Sequence, residues 1–151
     1  MSDKYAANGQ VASVAASPGK SALGLNAVAT RRARVFLVVA GCDGTPIGDN
    51  ILNWLVRRFT AVGTATPVTP EPLEGGGLAS AMTAETNYTS EPTWDAGVLF
   101  NVAVHQRATW QWQSVPGREI VIAAVAGNGL AVTPQHGSYS GTARATLHWE
   151  E

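Results

Sequence analysis

The 151-residue sequence contains one cysteine, Cys42. A lone thiol cannot close an intrachain disulfide, so nothing marks the chain as an oxidised, disulfide-framed scaffold. Cys42 follows an apolar run and precedes Asp43-Gly44, which reads as a thiol at a strand end rather than a nucleophile. No apolar run approaches the roughly 20 residues that cross a bilayer. Met1-Ser2-Asp3-Lys4-Tyr5 lacks the basic-then-apolar layout of a signal peptide. The expectation is a soluble protein made in a cytoplasm, with no membrane partner. Charge is scarce as well: 10 Lys and Arg against 11 Asp and Glu, a formal net charge of −1. That balance argues against a general nucleic-acid binder.

Site chemistry is equally sparse. His105, His136 and His148 form no His-x-His or His-x-x-x-His pattern, and no Cys-x-x-Cys exists to tether a metal. Ser17-Pro18-Gly19-Lys20-Ser21 holds a Gly-Lys-Ser triplet, but a phosphate loop needs a glycine where Val14 stands. Gly137-Ser138-Tyr139-Ser140-Gly141 has Tyr139 where a nucleophile elbow needs serine. Glu71, Glu74, Glu85, Glu91 and Asp95 share one region, where solvated loop acids are the plainer reading than a carboxylate pair. No catalytic residue, metal ligand or cofactor is expected, and the chain does not read as an enzyme.

What the sequence does contain is alternation. Val98, Phe100, Val102 and Val104 fall on one side of a strand, as do Ala143, Ala145, Leu147 and Trp149. One dry and one wetter side is the mark of an antiparallel sheet. Residues 31–41 lead into a central strand, apolar on both faces from Val35 to Ala40. Residues 51–62 fit a helical face through Ile51, Leu52, Trp54, Leu55, Phe59 and Val62. The β-branched tail from Phe59 to Thr64 favours a strand there. Residues 63–95 hold Pro67, Pro70, Pro72, Pro92 and Gly75-Gly76-Gly77, and read as a long loop with short strands near 66–69 and 82–89. Turns at His105-Gln106-Arg107, Val115-Pro116-Gly117-Arg118 and Gly127-Asn128-Gly129 separate the later strands. Seven or eight short strands predict an all-β fold, an antiparallel two-sheet sandwich of jelly-roll type, over residues 31–151. Residues 1–30, rich in Ala, Ser, Gly and Asn and anchored only by Val11, Val14, Leu23, Leu25 and Val28, read as an extended N-terminal arm. Removing it is expected to leave the sandwich intact.

Two features suggest contact surfaces. Residues 31–60 carry five arginines (31, 32, 34, 57, 58) against two aspartates, while residues 61–95 carry five acids and no base, giving +3 and −5. Such opposition can draw segments or copies together, although exposed ion pairs are individually weak. Arg31, Arg32, Arg34, Glu71 and Glu74 are the candidate contact residues. Trp110 and Trp112 share one strand face, as a candidate core or interface cluster or, alternatively, a stacking platform for sugar. Gln111 and Gln113 take the other face.

The succession Arg31-Ala33-Arg34-Val35-Phe36, Asp49-Asn50-Ile51-Leu52, Arg58-Phe59-Thr60-Ala61-Val62-Gly63-Thr64 and Val68-Thr69-Pro70-Glu71-Pro72-Leu73 resembles small virion proteins of tailed bacteriophages. So do Glu91-Pro92-Thr93, Gln106-Arg107-Ala108-Thr109-Trp110, Pro116-Gly117-Arg118-Glu119 and the ending Ala145-Thr146-Leu147-His148-Trp149-Glu150-Glu151. The likeness covers most of residues 31–151. It implies a capsid decoration, or cement, protein: β-rich, a homotrimer, seated on the outside of the phage head, with the major capsid protein as partner. A tail, baseplate or fibre component and a carbohydrate-binding module for host adhesion are the alternatives.

Overall fold

The computed structural model describes residues 3–12, 19–43, 48–136 and 139–151. Expectations placed on Val14, Ser17, Pro18, Gly137, Ser138 and the loop centre at residues 44–47 lie outside the described residues. The described residues form twelve strands: β1 (Lys4–Ala12), β2 (Leu23–Asn26), β3 (Ala33–Cys42), β4 (Ile51–Ala61), β5 (Thr64–Val68), β6 (Glu71–Pro72), β7 (Thr83–Ser90), β8 (Thr93–His105), β9 (Trp110–Gln113), β10 (Ile120–Ile122), β11 (Gly129–Gln135) and β12 (Thr142–Glu150). All pairings between them are antiparallel. One six-stranded sheet runs β10-β3-β12-β1-β6, with β9 also on β3, and the other runs β5-β7-β2-β11-β4-β8. Among the described residues no helix is long and apolar enough to cross a membrane.

The first sheet is built on β12. It pairs with β1 along Lys4↔Glu150 to Ala12↔Thr142, and with β3 along its other side. Alternation turns Ala143, Ala145, Leu147 and Trp149 inward, each no more than 2% exposed. Tyr5 of β1 stacks on Trp149 with ring centroids 5.9 Å apart. Each large apolar side chain so buried contributes about 1.5–3 kcal/mol. The second sheet faces this layer with Leu25, Leu52, Trp54, Val56, Leu130 and Val132, all in the same core.

The N-terminal segment departs from the expected arm. β1 lies inside the first sheet between β12 and β6, and β2 lies inside the second between β7 and β11. The single sandwich therefore takes in residues 4–12 and 23–26 rather than beginning at residue 31. The physical reason is steric. Gly9 passes directly against the Ala22 carbonyl and the Leu23 side chain, where a Cβ would collide. Small residues that look like a tail composition here permit close sheet-to-sheet approach. Ala22 and Leu23 are themselves fully buried.

Residues 51–61 are a strand, as the β-branched tail indicated. Residues 63–95 are more ordered than the proline and glycine content suggests, because β7 is an interior strand flanked by β5 and β2. Ala84, Thr86 and Tyr88 are its buried residues. Asn87 takes φ 51°, a left-handed conformation that asparagine tolerates. Tyr88 then lies over Gly24, on the outer side of the second sheet, where only a residue lacking Cβ fits.

Deleting residues 1–30 removes interior strands from both sheets, so the truncated chain is expected to lose cooperative unfolding and its β-sheet signal. Circular dichroism with urea titration checks this; a cooperatively folded truncation would restore the separable arm.

Candidate functional site

One end of the first sheet gathers most of the charged residues singled out by sequence. Arg31 closes the turn between β2 and β3, bridged to Val28. Arg34 stands opposite Val121 of β10 and Glu150 of β12, and Glu150 stands opposite Lys4 of β1. Arg32 and Arg34 border a surface cavity of about 370 Å³ with Glu150 and Glu151. Glu71 is on β6, opposite Ala6, and Glu74 opens the tight turn in which the Gly77 amide donates to the Glu74 carbonyl at 2.9 Å. All five contact candidates, Arg31, Arg32, Arg34, Glu71 and Glu74, are exposed.

The two charge groups do not meet. β12 and β1 lie between β3 and β6, so three strand spacings hold them apart by about 14 Å. Among the described residues His105 Nε2 lies 3.5 Å from Asp49 Oδ1, and no ion pair joins Arg31, Arg32 or Arg34 to Glu71 or Glu74. The opposition seen in sequence thus becomes an arginine flank, with Glu150 of β12 beside Arg34, and an acidic flank at Glu71 and Glu74 on one sheet end.

Glu151 anchors this end. Its carboxylate accepts hydrogen bonds from the Ala81 amide at 3.0 Å, the Met82 amide at 3.2 Å and Trp149 Nε1 at 3.2 Å, and from Ser80 Oγ. Burial pushes the Glu151 carboxyl up, but these donors together outweigh it and hold the group below the ordinary carboxylate value.

Trp110 and Trp112 point to the sandwich interior. They sit opposite Ala40 and Val38 of β3, and the Phe100 ring of β8 lies 5.5 and 5.1 Å from them, centroid to centroid. Both are half-buried against the core, with Gln111 and Gln113 exposed on the opposite face. Their placement fits a core-edge cluster, with both rings still partly open to solvent. The outer face of the same sheet carries a polar groove of about 390 Å³ bordered by Asn8, Gln10, Asn87, Arg144 and Thr146, with no aromatic ring in its wall. Arg144 Nη1 donates to Gln10 Oε1 and Thr146 Oγ1 to Asn8 Oδ1, both at 2.7 Å.

The second sheet has a buried polar cluster on its outer face that the sequence did not announce. Glu91 accepts from the Ser21 amide at 2.9 Å and from Ser21 Oγ at 2.6 Å, and Ser21 Oγ lies 2.8 Å from Thr133 Oγ1. Beside it Arg57 stacks over the Trp94 ring at 3.8 Å. Its Nε and Nη2 are buried without a hydrogen-bond partner. Burial lowers the Arg57 pKa, and Glu91 partly restores it. Residues 70 or more positions apart in the chain meet here, which no local pattern reveals.

The remaining candidates are structural. Cys42 ends β3 and its thiol donates to the Gln106 carbonyl at 2.8 Å. Tyr139 is fully buried and donates its hydroxyl to Asp43 Oδ1 at 2.8 Å; burial, with the Asp43 carboxylate beside it, pushes that phenol up. Among the described residues no group of three or more His, Cys, Asp or Glu is arranged to hold a metal ion. Comparison with protein-family models, curated proteins and solved structures finds no match to this chain.

Two outcomes follow from these contacts. Glu151 is depressed in the folded state, so its contribution to stability is complete above the ordinary value of 4.5 and is lost as pH falls through the lower folded value. Glu151→Gln should therefore be less stable at neutral pH and show a flatter acid limb, read by urea unfolding across pH. Arg57→Met should be neutral or stabilising by up to about 2 kcal/mol, because it removes unsatisfied buried nitrogens and replaces the cation–π contact with apolar packing on Trp94. A large loss of stability in the same assay would assign Arg57 a partner in solution.

Proposed function

We propose that this chain is a virion structural protein, a capsid decoration or cement protein that binds the outside of a phage head and ties neighbouring major capsid protein subunits together. The observation that carries the reading is the divided sheet end. Exposed Arg31, Arg32 and Arg34 lie on one flank and exposed Glu71 and Glu74 on the other, too far apart to neutralise each other. A surface of two signs can address two neighbours at once, one through its carboxylates and one through its basic groups. Charge arranged in this way selects partner and register more than it adds raw affinity. On a repetitive lattice, many such contacts sum through multivalency.

The resemblance over residues 31–151 supports the same reading, and a jelly-roll-like winding of the sandwich belongs to it. In this reading the first sheet's charged end faces the capsid, and the protein occupies the virion surface after synthesis in the bacterial cytoplasm. A tail, baseplate or fibre role would use the same surface on a different lattice. The adhesion alternative calls for Trp110 and Trp112 open to solvent, and both are half-buried.

The test is co-sedimentation of the purified protein with expanded, undecorated heads. Saturable binding is expected, with Arg31→Glu, Arg32→Glu and Arg34→Glu together weakening it about tenfold and reducing its salt dependence. Binding to tails but not heads would move the protein to the tail. Full binding by the triple variant would remove the charged end from the interface.

A further inference from the structure

The second sheet ends in an edge unlike the others. β8 is thirteen residues long, from Thr93 to His105, and among the described residues pairs only with β4. No charged residue interrupts it between Asp95 and His105: the run is Ala96-Gly97-Val98-Leu99-Phe100-Asn101-Val102-Ala103-Val104. Natural sheets guard such edges with charge, proline, bulges or short length, because an unpaired strand is a template for another strand. Here the pairing with β4 is irregular near Arg57 and Phe59, which guards only the start of β8. From Phe100 to His105 it is in continuous register with Val56 to Ile51.

The direction of the free backbone groups follows from the ladder. The Gln106 amide donates to the Asn50 carbonyl at 2.9 Å, continuing the series that pairs Val104 with Leu52, Val102 with Trp54 and Phe100 with Val56. Antiparallel alternation then points the main-chain N–H and C=O of Asn101 and Ala103 away from β4.

We propose that this edge pairs with the β8 edge of a second copy of the chain, antiparallel about a two-fold axis near Val102. Asn101 of each copy then faces Ala103 of the other, and four main-chain hydrogen bonds close across the axis. Phe100 faces Val104 on the inner side, so the half-buried seam of Phe100, Trp110 and Trp112 is covered. The acidic end of each strand at Asp95 runs toward the basic turn of the other at Arg107, so the charges at the ends complement each other. An isologous contact of this kind closes on itself and does not propagate.

The other edges argue for β8 against β8. β5, at the far side of the same sheet, is five residues long and contains Pro67, which lacks the donor. β6 spans two residues, β9 four and β10 three. A trimer built by strand pairing at β8 would have to join it to one of these shorter or interrupted edges. The proposal stands apart from the capsid reading and survives or fails without it.

Solution mass and amide exchange of the full-length chain test it. Light scattering should give a dimer, and hydrogen exchange should show the outward amides of Asn101 and Ala103 protected along with those of Val102 and Val104. Ala103→Pro removes an outward N–H in each copy and leaves the β4 ladder untouched; it should weaken association about thirtyfold. Ala103→Lys serves as a second variant that keeps the N–H and introduces edge charge, and it should also shift the protein toward monomer with an unchanged circular dichroism spectrum. A monomeric wild type, a trimer, or a dimer whose Asn101 and Ala103 amides exchange freely would overturn the proposal.

Discussion

The pairing of β12 with β1 on one side and β3 on the other is the constraint on which the rest of the molecule depends. It joins the two ends of the described chain into one sheet, residue for residue, from Lys4↔Glu150 to Ala12↔Thr142. It also sets which side chains of β12 face inward. A shift of one residue would turn Leu147 and Trp149 to solvent and bring Thr146 and His148 into the core. Stacking of Tyr5 on Trp149 and the Glu151 contacts to residues 80–82 hold that register at the open end of the sheet. The pairing joins segments 130 or more residues apart. Non-local closure of this kind is slow relative to hairpin formation.

Several surface features are consequences of that arrangement. Placing β1 between β12 and β6 spreads the basic and acidic segments across one sheet end instead of letting them pair. Carrying the chain from β7 to β8 moves it from one side of the second sheet to the other, and leaves β8 as a long terminal edge. The same crossing draws Glu91 over the outer face of the second sheet, where it meets Ser21 and Thr133. Buried polar groups there are hydrogen-bonded to one another, apart from the two Arg57 nitrogens and Asn26 Oδ1. Function, in the reading advanced here, lives in surfaces and edges of an assembly component, not in a pocket.

Much of the fold was legible from local pattern. Period-two alternation marked β8 and β12, a run apolar on both faces marked β3, and a β-branched tail favoured a strand at β4, with proline and glycine turns between the later strands. The charged candidates at residues 31–34 and 71–74 are exposed; that Trp110 and Trp112 share a strand face was legible, but the direction of that face was not. The N-terminal strands were not legible. Ala, Gly, Asn and Ser carry almost no hydrophobic signal, and the interior position of β1 depends on β12, 130 to 146 residues away, and on β6, 65 to 67 residues away. The Glu91 cluster and the Arg57–Trp94 stack were hidden for the same reason.

Sequence by itself determined the class of structure: all-β, antiparallel and without a tethered metal motif. It did so because alternation, turn residues and ligand spacing are local properties that a chain displays in order. Only the tertiary structure decided that the N-terminal residues are interior strands, that opposite charges stay about three strands apart, and that β8 is a long sheet edge. Those outcomes depend on which strand lies beside which, and strand order is set by long-range packing of both sheets against one core.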